Sequence, residues 1–369
     1  MPFRPGLLTL ALVAGCSATA QPKGDTTSST PAALVVGARL PVTFGAVSNV
    51  VDLGGGRIAF ADPKERRLHS ATFAGDVDTL GTRVDSLTGA AGSYKLPGWV
   101  ARLAGDTLAL VDFASLGTTL WTADGRFVRD LRLPVIGGAT PILVYDAVGH
   151  GYKADLTGVL GGSAPGARVR RDSLPLLRVR LADGAVDTVA QLSGPEFGLA
   201  KFGEQMQEVA KVFGPNDAFG AAADGRVWVA RARRHAVDWR GGDGAWRRGT
   251  DHPWTPVPVS ASDRERVMQR LRERGLPTGV AIEFPFAESK PSFEAALGRP
   301  LGEVWLQYSR ASEEEPLRYA VFGAEGAFLR DVTAPVGVSV VGFGQGDAIY
   351  GTVREADGRR GVVQLSLAP

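Results

Sequence analysis

The sequence predicts an all-β fold built from repeated units. Composition favours this class: the 369 residues include 48 glycines and 23 prolines, and strand-forming residues are spread along the whole chain. Besides the glycine and proline content and the spread of strand-forming residues, a repeat in the sequence predicts this fold. The stretch ADGRVWVAR, residues 223–231, begins with an Asp-Gly turn and continues as an alternation of Val and Trp. Length alone does not fix the number of domains, because all-β domains often exceed the usual size.

Each unit of the repeat begins with a glycine-containing turn that runs into an apolar strand. Six such segments occur: GGGRIAFAD (54–62), AGDTLALVD (104–112), GHGYKADLT (149–157), ADGRVWVAR (223–231), LGEVWLQYS (301–309) and QGDAIYGTV (345–353). A second turn follows each of them: AGDVDTLG (74–81), ADGRFVRDLRLP (123–134), ADGAVDTVAQL (182–192), GDGAWRRG (242–249), AEGAFLRDV (324–332) and ADGRRGVVQLSL (356–367). Asp-Gly supplies the positive φ angles of tight hairpin turns, and the period-two alternation buries one face of the strand. A unit of roughly 40 to 50 residues with this content has the size of one four-stranded propeller blade.

One helix interrupts the repeat after the fourth unit. The segment SASDRERVMQRLRERGLP, residues 260–277, predicts a helical insertion around residues 262–275, with Ser262 as its N-cap and Glu265 reaching back to it. Val267, Met268 and Leu271 form its apolar stripe, and Gly275 with Pro277 ends it. Its arginines indicate a solvated outer face.

The twelve turns, the helical insertion and the segment FPFAESKPSFEAALGRPLGEVWLQY (284–308) resemble a bacterial six-bladed β-propeller of the broad NHL-like and TolB-like class. The resemblance covers residues 34–369. The third unit, residues 141–192, departs most from the pattern, so five or seven blades or a sandwich remain alternatives. A closed ring leaves no open edge between its first and last blades. The strand pattern AALVVGARLPVTFG (32–45) is therefore expected in the same blade as the terminal GVVQLSLAP.

The N-terminus resembles a bacterial lipoprotein signal peptide. In MPFRPGLLTLALVAGC, Arg4 precedes a short apolar run, and Val13, Ala14 and Gly15 lead into Cys16, the sole cysteine. The resemblance implies a signal peptide at residues 1–15, lipid attachment to Cys16 and a flexible tether over residues 16–33, which are rich in Ser, Thr, Ala and Pro. By the same resemblance Ser17 favours the outer membrane.

Catalytic motifs are absent from the sequence. The four histidines have no partner at helical metal-ligand spacing, and there is no HExxH, GxSxG or Walker motif. His150, which opens one of the apolar segments expected to be inner strands, is the histidine best placed for a ligand site, although a turn or packing role is the favoured interpretation. Several aspartates could meet to hold calcium, but Asp is also ordinary turn chemistry. These are Asp52, Asp62, Asp112, Asp146, Asp155 and Asp224.

Cationic and aromatic residues interleave in RRHAVDWRGGDGAWRRG, residues 233–249. Arg234, Trp239, Arg240 and Trp246 could stack on a glycan or peptide. Strand alternation offers a simpler interpretation, in which Trp228 and Trp239 face the core between blades while the arginines cover the outer strands.

These observations predict a lipid-anchored propeller of the cell envelope that acts as a binding or assembly module. Envelope proteins, peptides or glycans are the expected partners; 41 basic against 39 acidic residues give no indication of nucleic-acid binding, and a monomer is expected. No cofactor is predicted, with calcium left open. The alternative is a metal-dependent propeller enzyme of the lactonase, lyase or sugar-dehydrogenase kind, because propellers host many chemistries.

Overall fold

The computed structural model describes residues 31–85, 91–134, 136–138, 140–157, 172–273, 282–300 and 302–368. Residues Pro31–Pro369 form one compact unit. The predicted signal peptide, Cys16 and most of the predicted tether lie outside the described residues. The first strand begins at Ala32, two residues before the expected start of the propeller at residue 34.

The described residues form six four-stranded antiparallel blades, of which four are separate sheets and two belong to one eight-stranded sheet. The first strand of the chain, β1 (Ala32–Phe44), belongs to the last blade, and blade 1 follows it with β2 (Val50–Gly54), β3 (Arg57–Asp62), β4 (Arg67–Thr72) and β5 (Val77–Leu80). After a parallel pair, β6 (Thr82–Arg83) and β7 (Ser93–Tyr94), blade 2 contains β8 (Pro97–Arg102), β9 (Thr107–Asp112), β10 (Gly117–Thr122) and β11 (Phe127–Leu131). Blade 3 contains β12 (Val144–Tyr145), β13 (His150–Ala154), β14 (Ser173–Arg180) and β15 (Val186–Ser193).

The second half of the ring carries the insertions. A hairpin of β16 (Phe197–Phe202) and β17 (Gln205–Ala210) precedes blade 4, which contains β18 (Ala218–Ala221), β19 (Val227–Arg231), β20 (Ala236–Arg240) and β21 (Trp246–Arg247). Helix α1 (Ala261–Glu273) and β22 (Ile282–Glu283), which pairs with β16, come next. Blade 5 contains β23 (Phe293–Gly298), β24 (Val304–Tyr308), β25 (Arg318–Phe322) and β26 (Phe328–Thr333), and blade 6 contains β27 (Val338–Phe343), β28 (Ile349–Arg354), β29 (Arg360–Leu367) and β1.

The first strand of each blade faces the centre of the ring, and neighbouring first strands contact one another all the way round, from β2 through β8, β12, β18 and β23 to β27 and back to β2. This arrangement confirms the predicted all-β propeller. It also corrects one detail, because the six turn-strand segments of the sequence supply β3, β9, β13, β19, β24 and β28, the second strands of the blades. The true inner strands are hard to see in the sequence because they are short, as in the two-residue β12.

Blade 6 closes the ring as expected. β1 runs antiparallel to β29, with Leu34 opposite Leu367 and Phe44 opposite Arg360. At its start β1 also pairs in parallel with β26, so that blades 5 and 6 form one continuous eight-stranded sheet. The chain therefore uses its first and last strands together to cover an edge that would otherwise stay open.

The core is divided into six apolar clusters, one between each pair of neighbouring blades. The cluster between blades 6 and 1 contains Leu40, Phe60 and Tyr350, so it depends on β1 as well as on the blades themselves. The cluster between blades 4 and 5 contains Trp228 and Trp239. Each second strand is buried because it contacts a neighbouring blade on either face.

Helix α1 is present but begins earlier than predicted. Its N-cap is Ser260: the Ser260 hydroxyl accepts a hydrogen bond from Asp263 N at 3.1 Å, and the Asp263 carboxylate accepts one from Ser260 N at 3.0 Å. The predicted pair of Ser262 and Glu265 is therefore wrong. The segment contains two overlapping capping sequences, and the earlier one is used because Asp263 also binds the buried Lys290 at 2.8 Å. The predicted stop at Gly275 and Pro277 lies outside the described residues. No helix in the described part of the chain combines the length and the apolar character needed to cross a membrane.

Candidate functional site

A cavity of about 600 Å³ occupies the centre of the ring. All six inner strands contribute to its wall, together with turns that lead into the second strands, such as Ala104–Asp106. Five aromatic side chains line it: Trp99, Tyr145, Phe219, Trp228 and Phe343. Aliphatic residues supply most of the remaining wall, among them Val50, Val100, Leu103, Val144, Leu297 and Val341.

Most of the polar side chains in this wall are already engaged with the protein. Asn49 bridges blades 1 and 2, since its amide nitrogen donates to Val100 O at 2.7 Å and its oxygen accepts from Val100 N at 3.2 Å. The Tyr145 hydroxyl bonds to Thr118 at 3.0 Å, and burial raises the pKa of Tyr145 to about 12. These groups therefore fix the shape of the cavity and stay uncharged at neutral pH.

The charged groups of the wall lie near blades 6, 1 and 2. The Asp52 carboxylate accepts hydrogen bonds from Gly54 N at 2.7 Å and from Gln345 N at 2.8 Å, so it ties blade 1 to blade 6. Arg102 donates to the backbone oxygen of Asp52 at 2.8 Å and lies 3.9 Å from the exposed Asp106 carboxylate. The cavity thus has one polar sector in an otherwise apolar and aromatic wall.

Across the described ranges, no three His, Cys, Asp or Glu side chains come together in a way that could hold a metal ion. Two of the aspartates considered for calcium accept hydrogen bonds from the backbone. The Asp62 carboxylate accepts a hydrogen bond from Gly45 N at 2.7 Å, and the Asp112 carboxylate accepts one from Lys95 N at 2.7 Å. Each aspartate thereby holds the segment of chain that leads into its blade.

His150 lies at the start of β13 and does not line the central cavity. Its Nδ1 is 3.0 Å from the fully buried Asp146 carboxylate, which also accepts a hydrogen bond from the Tyr152 hydroxyl at 2.7 Å. Burial, together with the bond to Asp146, raises the pKa of Tyr152. Asp146 stands between the cavity-lining residues Tyr145 and Ala147, so this carboxylate-histidine pair lies beside the cavity wall.

The Arg-Trp stretch does not form one surface platform. Trp239 is 2 % exposed, packs between blades 4 and 5, and donates from Nε1 to Gly323 O at 3.1 Å. Arg234 is held by Asp238 and by Asp251, the latter at 2.9 Å. The core placement of Trp239 agrees with strand alternation, and it removes this side chain from any surface ligand.

Two other predicted residues lie at the junction of blades 3 and 4. Trp246 stands opposite Arg240 on the neighbouring strand, and its Nε1 donates to Val189 O in blade 3 at 2.9 Å. Arg240 and His150 both influence the Asp187 carboxyl, whose pKa is lowered chiefly by its hydrogen bond to Arg178. The structure therefore brings His150, Arg240 and Trp246 to one junction and leaves Arg234 and Trp239 elsewhere.

Most of the cavity residues were missed from the sequence, where Asp52 was named only among several aspartates that could hold calcium. Trp99, Arg102 and Phe343 lie on inner strands that carry no marked repeat, and Trp228 was assigned only to the core. A usable signal exists: each inner strand is the short apolar segment immediately before one of the six first turns.

Several solved structures match most of the length of this chain. No protein-family model and no curated protein matches the chain. Among solved structures, a member of the DUF4221 family from Bacteroides vulgatus has a TM-score of 0.51 at 6% identity, covering 92% of this chain and 99% of that one. A protein of Bacteroides fragilis named as exported has a TM-score of 0.50 at 10% identity, covering 91% and 96%. The chain is a β-propeller. A gluconolactonase from Xanthomonas campestris matches with a TM-score of 0.45 at 15% identity, covering 92% and 96%.

Proposed function

We propose that this protein binds a small, mainly apolar molecule in its central cavity. The observation that carries the proposal is the cavity itself: about 600 Å³, lined by all six blades, with aromatic and aliphatic walls and one polar sector. Ligand pockets in proteins have this size and this balance of apolar wall and few polar groups. The wall is preformed, because Asn49 and Asp52 fasten its strands to one another.

A fluorescent apolar probe tests the proposal. 1-Anilinonaphthalene-8-sulfonate is titrated into the compact unit Pro31–Pro369, and saturable binding of one molecule per chain is expected. Ala101 lines the cavity, whereas Ala74 lies exposed in a turn, so Ala101→Phe and Ala74→Phe form a matched pair. The first variant is expected to weaken probe binding about tenfold or more, and the second to leave it unchanged. Equal binding by both variants would place the probe elsewhere and contradict the proposal.

We also propose that the protein is exported and lipid-anchored through Cys16, with the outer membrane as its site. The support is the leader sequence, with its apolar run ending in Val13, Ala14, Gly15 and Cys16. A likeness to a protein named as exported agrees with export. Radiolabelled palmitate fed to cells that express the full chain is expected to label the wild type and not Cys16→Ser. Equal labelling of both, or of neither, would contradict the anchor.

A propeller enzyme is the second candidate. The observation that favours it is the buried Asp146 carboxylate that orients His150 beside the cavity wall, an arrangement suited to general-base chemistry. The metal-dependent form has no ligand set among the described residues. Elemental analysis of protein purified without a metal-affinity tag tests the metal-dependent form, which a stoichiometric divalent ion would favour and a metal-free protein would contradict.

A further inference from the structure

Trp228 reaches the central cavity from the second strand of its blade. Its ring packs against its cross-strand partner Gly220, where a methyl group would lie 2.2 Å from the indole. The nitrogen edge of the ring meets Gly298 of blade 5, where a methyl group would lie 2.7 Å from Nε1. Both glycines and Trp228 line the cavity. Two missing side chains on two inner strands thus leave an opening that the indole fills.

The indole nitrogen of Trp228 has no hydrogen-bond acceptor among the residues the structure describes. Trp228 is only 3% exposed, and it lines the cavity. The indole N–H of a largely buried tryptophan usually finds a hydrogen-bond partner. An acceptor supplied by a bound molecule would meet this requirement.

The neighbouring blades provide an internal comparison. Trp305 in blade 5 and Tyr350 in blade 6 occupy the same place as Trp228, the second residue of the second strand. Trp305 Nε1 donates to the Glu303 carboxylate at 3.2 Å, and the Tyr350 hydroxyl bonds to Asp52. Neither ring lines the cavity. In blade 4, the residue equivalent to Glu303 is Arg226, whose guanidinium pairs with Asp224 at 2.7 Å and cannot accept from an indole.

We infer that Trp228 Nε1 donates a hydrogen bond to an oxygen atom of the bound molecule. This inference rests on the proposed function and narrows its ligand class to small, mainly apolar molecules that carry a carbonyl or carboxylate oxygen. Because Trp228 is a donor fixed between two blades, it sets the orientation of the bound molecule. The aromatic and aliphatic wall supplies the affinity. Replacing the N–H by a C–H group removes the donor and keeps an aromatic ring in the opening.

The test uses two probes of nearly the same shape, 2-acetylnaphthalene and 2-isopropylnaphthalene, of which only the ketone carries an acceptor. Affinities are measured for the wild type, Trp228→Phe and the control Trp305→Phe, each in the unit Pro31–Pro369. The ratio of ketone affinity to hydrocarbon affinity is expected to fall about fivefold in Trp228→Phe. In Trp305→Phe the ratio should stay at the wild-type value.

A second readout does not depend on the variant folding. In wild-type protein labelled with ¹⁵N at the indole nitrogens, the ketone is expected to shift the Trp228 N–H resonance and the hydrocarbon is not. The inference fails and the proposed function stands under three joint conditions. Both probes bind, the ratio of ketone to hydrocarbon affinity in Trp228→Phe equals that of the wild type, and the indole resonance responds to both probes alike. If neither probe binds, both fail.

Discussion

At the scale of single residues, the clearest chemical feature outside the cavity is a pair of histidines, His235 and His252, whose rings lie against aromatic residues of blade 5. His235 is fully buried, stacks on Tyr308 with ring centroids 4.8 Å apart, and lies 5.8 Å from His252. Neither of its ring nitrogens has a hydrogen-bond partner among the described residues. Burial, helped by the nearby His252, lowers the pKa of His235 to about 4, and burial also lowers the pKa of His252.

These histidines should make the fold sensitive to acid. The folded state favours neutral His235, so between pH about 6.5 and about 4 the unfolded chain binds more protons than the folded one. The stability that depends on neutral His235 is therefore complete above pH 6.5 and is lost as the pH falls towards 4. The loss should be on the order of 3 kcal/mol for this residue. Urea unfolding at pH 7.5 and 4.5 measures it, and His235→Phe should show a smaller difference. An equal difference in both proteins would show that His235 is not the source.

A second prediction concerns the space that glycine leaves at the cavity. Gly220→Ala places a methyl group 2.2 Å from the Trp228 ring, so the indole or the inner strand must move, and we expect a loss of about 1–3 kcal/mol. A methyl group added at Gly242 would meet no other atom within 4 Å, so Gly242→Ala should change stability by less than about 0.5 kcal/mol. Chemical denaturation of both variants measures the contrast, and equal losses would contradict the packing argument.

The two tryptophans of blade 4 show what single residues in a sequence can and cannot reveal. Trp228 and Trp239 stand opposite each other on neighbouring strands, and both were predicted to face the core. Alternation is sufficient for that prediction because it depends on neighbours in the sequence. Access of Trp228 to the cavity depends on Gly298, seventy positions away on another blade. The sequence pattern contains no sign of that contact.

At the scale of elements, helix α1 is fastened to the propeller by a buried ion pair. Asp263 and Lys290 are 1% and 4% exposed, and their charged groups are 2.8 Å apart. Lys290 also donates to Arg310 O at 2.7 Å. Since Asp263 is at the same time part of the helix cap, one carboxylate determines where α1 begins and where it docks.

Breaking this pair should be costly. Asp263→Asn leaves the Lys290 ammonium buried without its counter-charge, and we expect a loss of about 3–5 kcal/mol in unfolding free energy. Adding Lys290→Met to the same protein should recover much of the loss, because the buried charge is then gone. A single variant as stable as the wild type, or a double variant less stable than the single one, would contradict this account.

Strand β1 is the element that closes the ring. Leu40 is 2% exposed and belongs to the cluster between blades 6 and 1, whereas Val42, two residues on, is 43% exposed. Leu40→Ala should therefore cost about 2–5 kcal/mol, and Val42→Ala less than about 0.5 kcal/mol. Thermal and chemical unfolding of the two variants compare them. Similar stabilities would mean that closure by β1 contributes little to the fold.

Elements were predictable where local chemistry decides them. The turns between the first and second strands and between the third and fourth strands of the blades carry Asp-Gly or related pairs. Gly225 and Gly125, one from each kind of turn, adopt positive φ angles of 84° and 86°. The helix was found from its capping residues, although two overlapping caps made its start ambiguous until Lys290 was placed. The inner strands were assigned wrongly because these segments of two to six residues are shaped by contacts with neighbouring blades, which the sequence pattern does not show.

At the scale of the whole molecule, the fold repeats one way of burying apolar surface, which is to pack each blade between two others. Each blade buries both faces against its neighbours, so six apolar clusters alternate with six sheets, and the last edge is covered by pairing β1 with β29. This closure was predictable because an orphan strand pattern at residues 32–45 had no partner in its own unit. The cavity was not predictable, since it is the space left where six inner strands meet.

The ligand inferred for this space is a small molecule with an acceptor oxygen directed at Trp228. A crystal structure of the protein with 2-acetylnaphthalene tests this inference most directly. We predict the probe inside the cavity, against Trp99 and Phe343, with its carbonyl oxygen about 3 Å from Trp228 Nε1. A probe bound outside the ring, or an empty cavity at saturating probe, would contradict the claim.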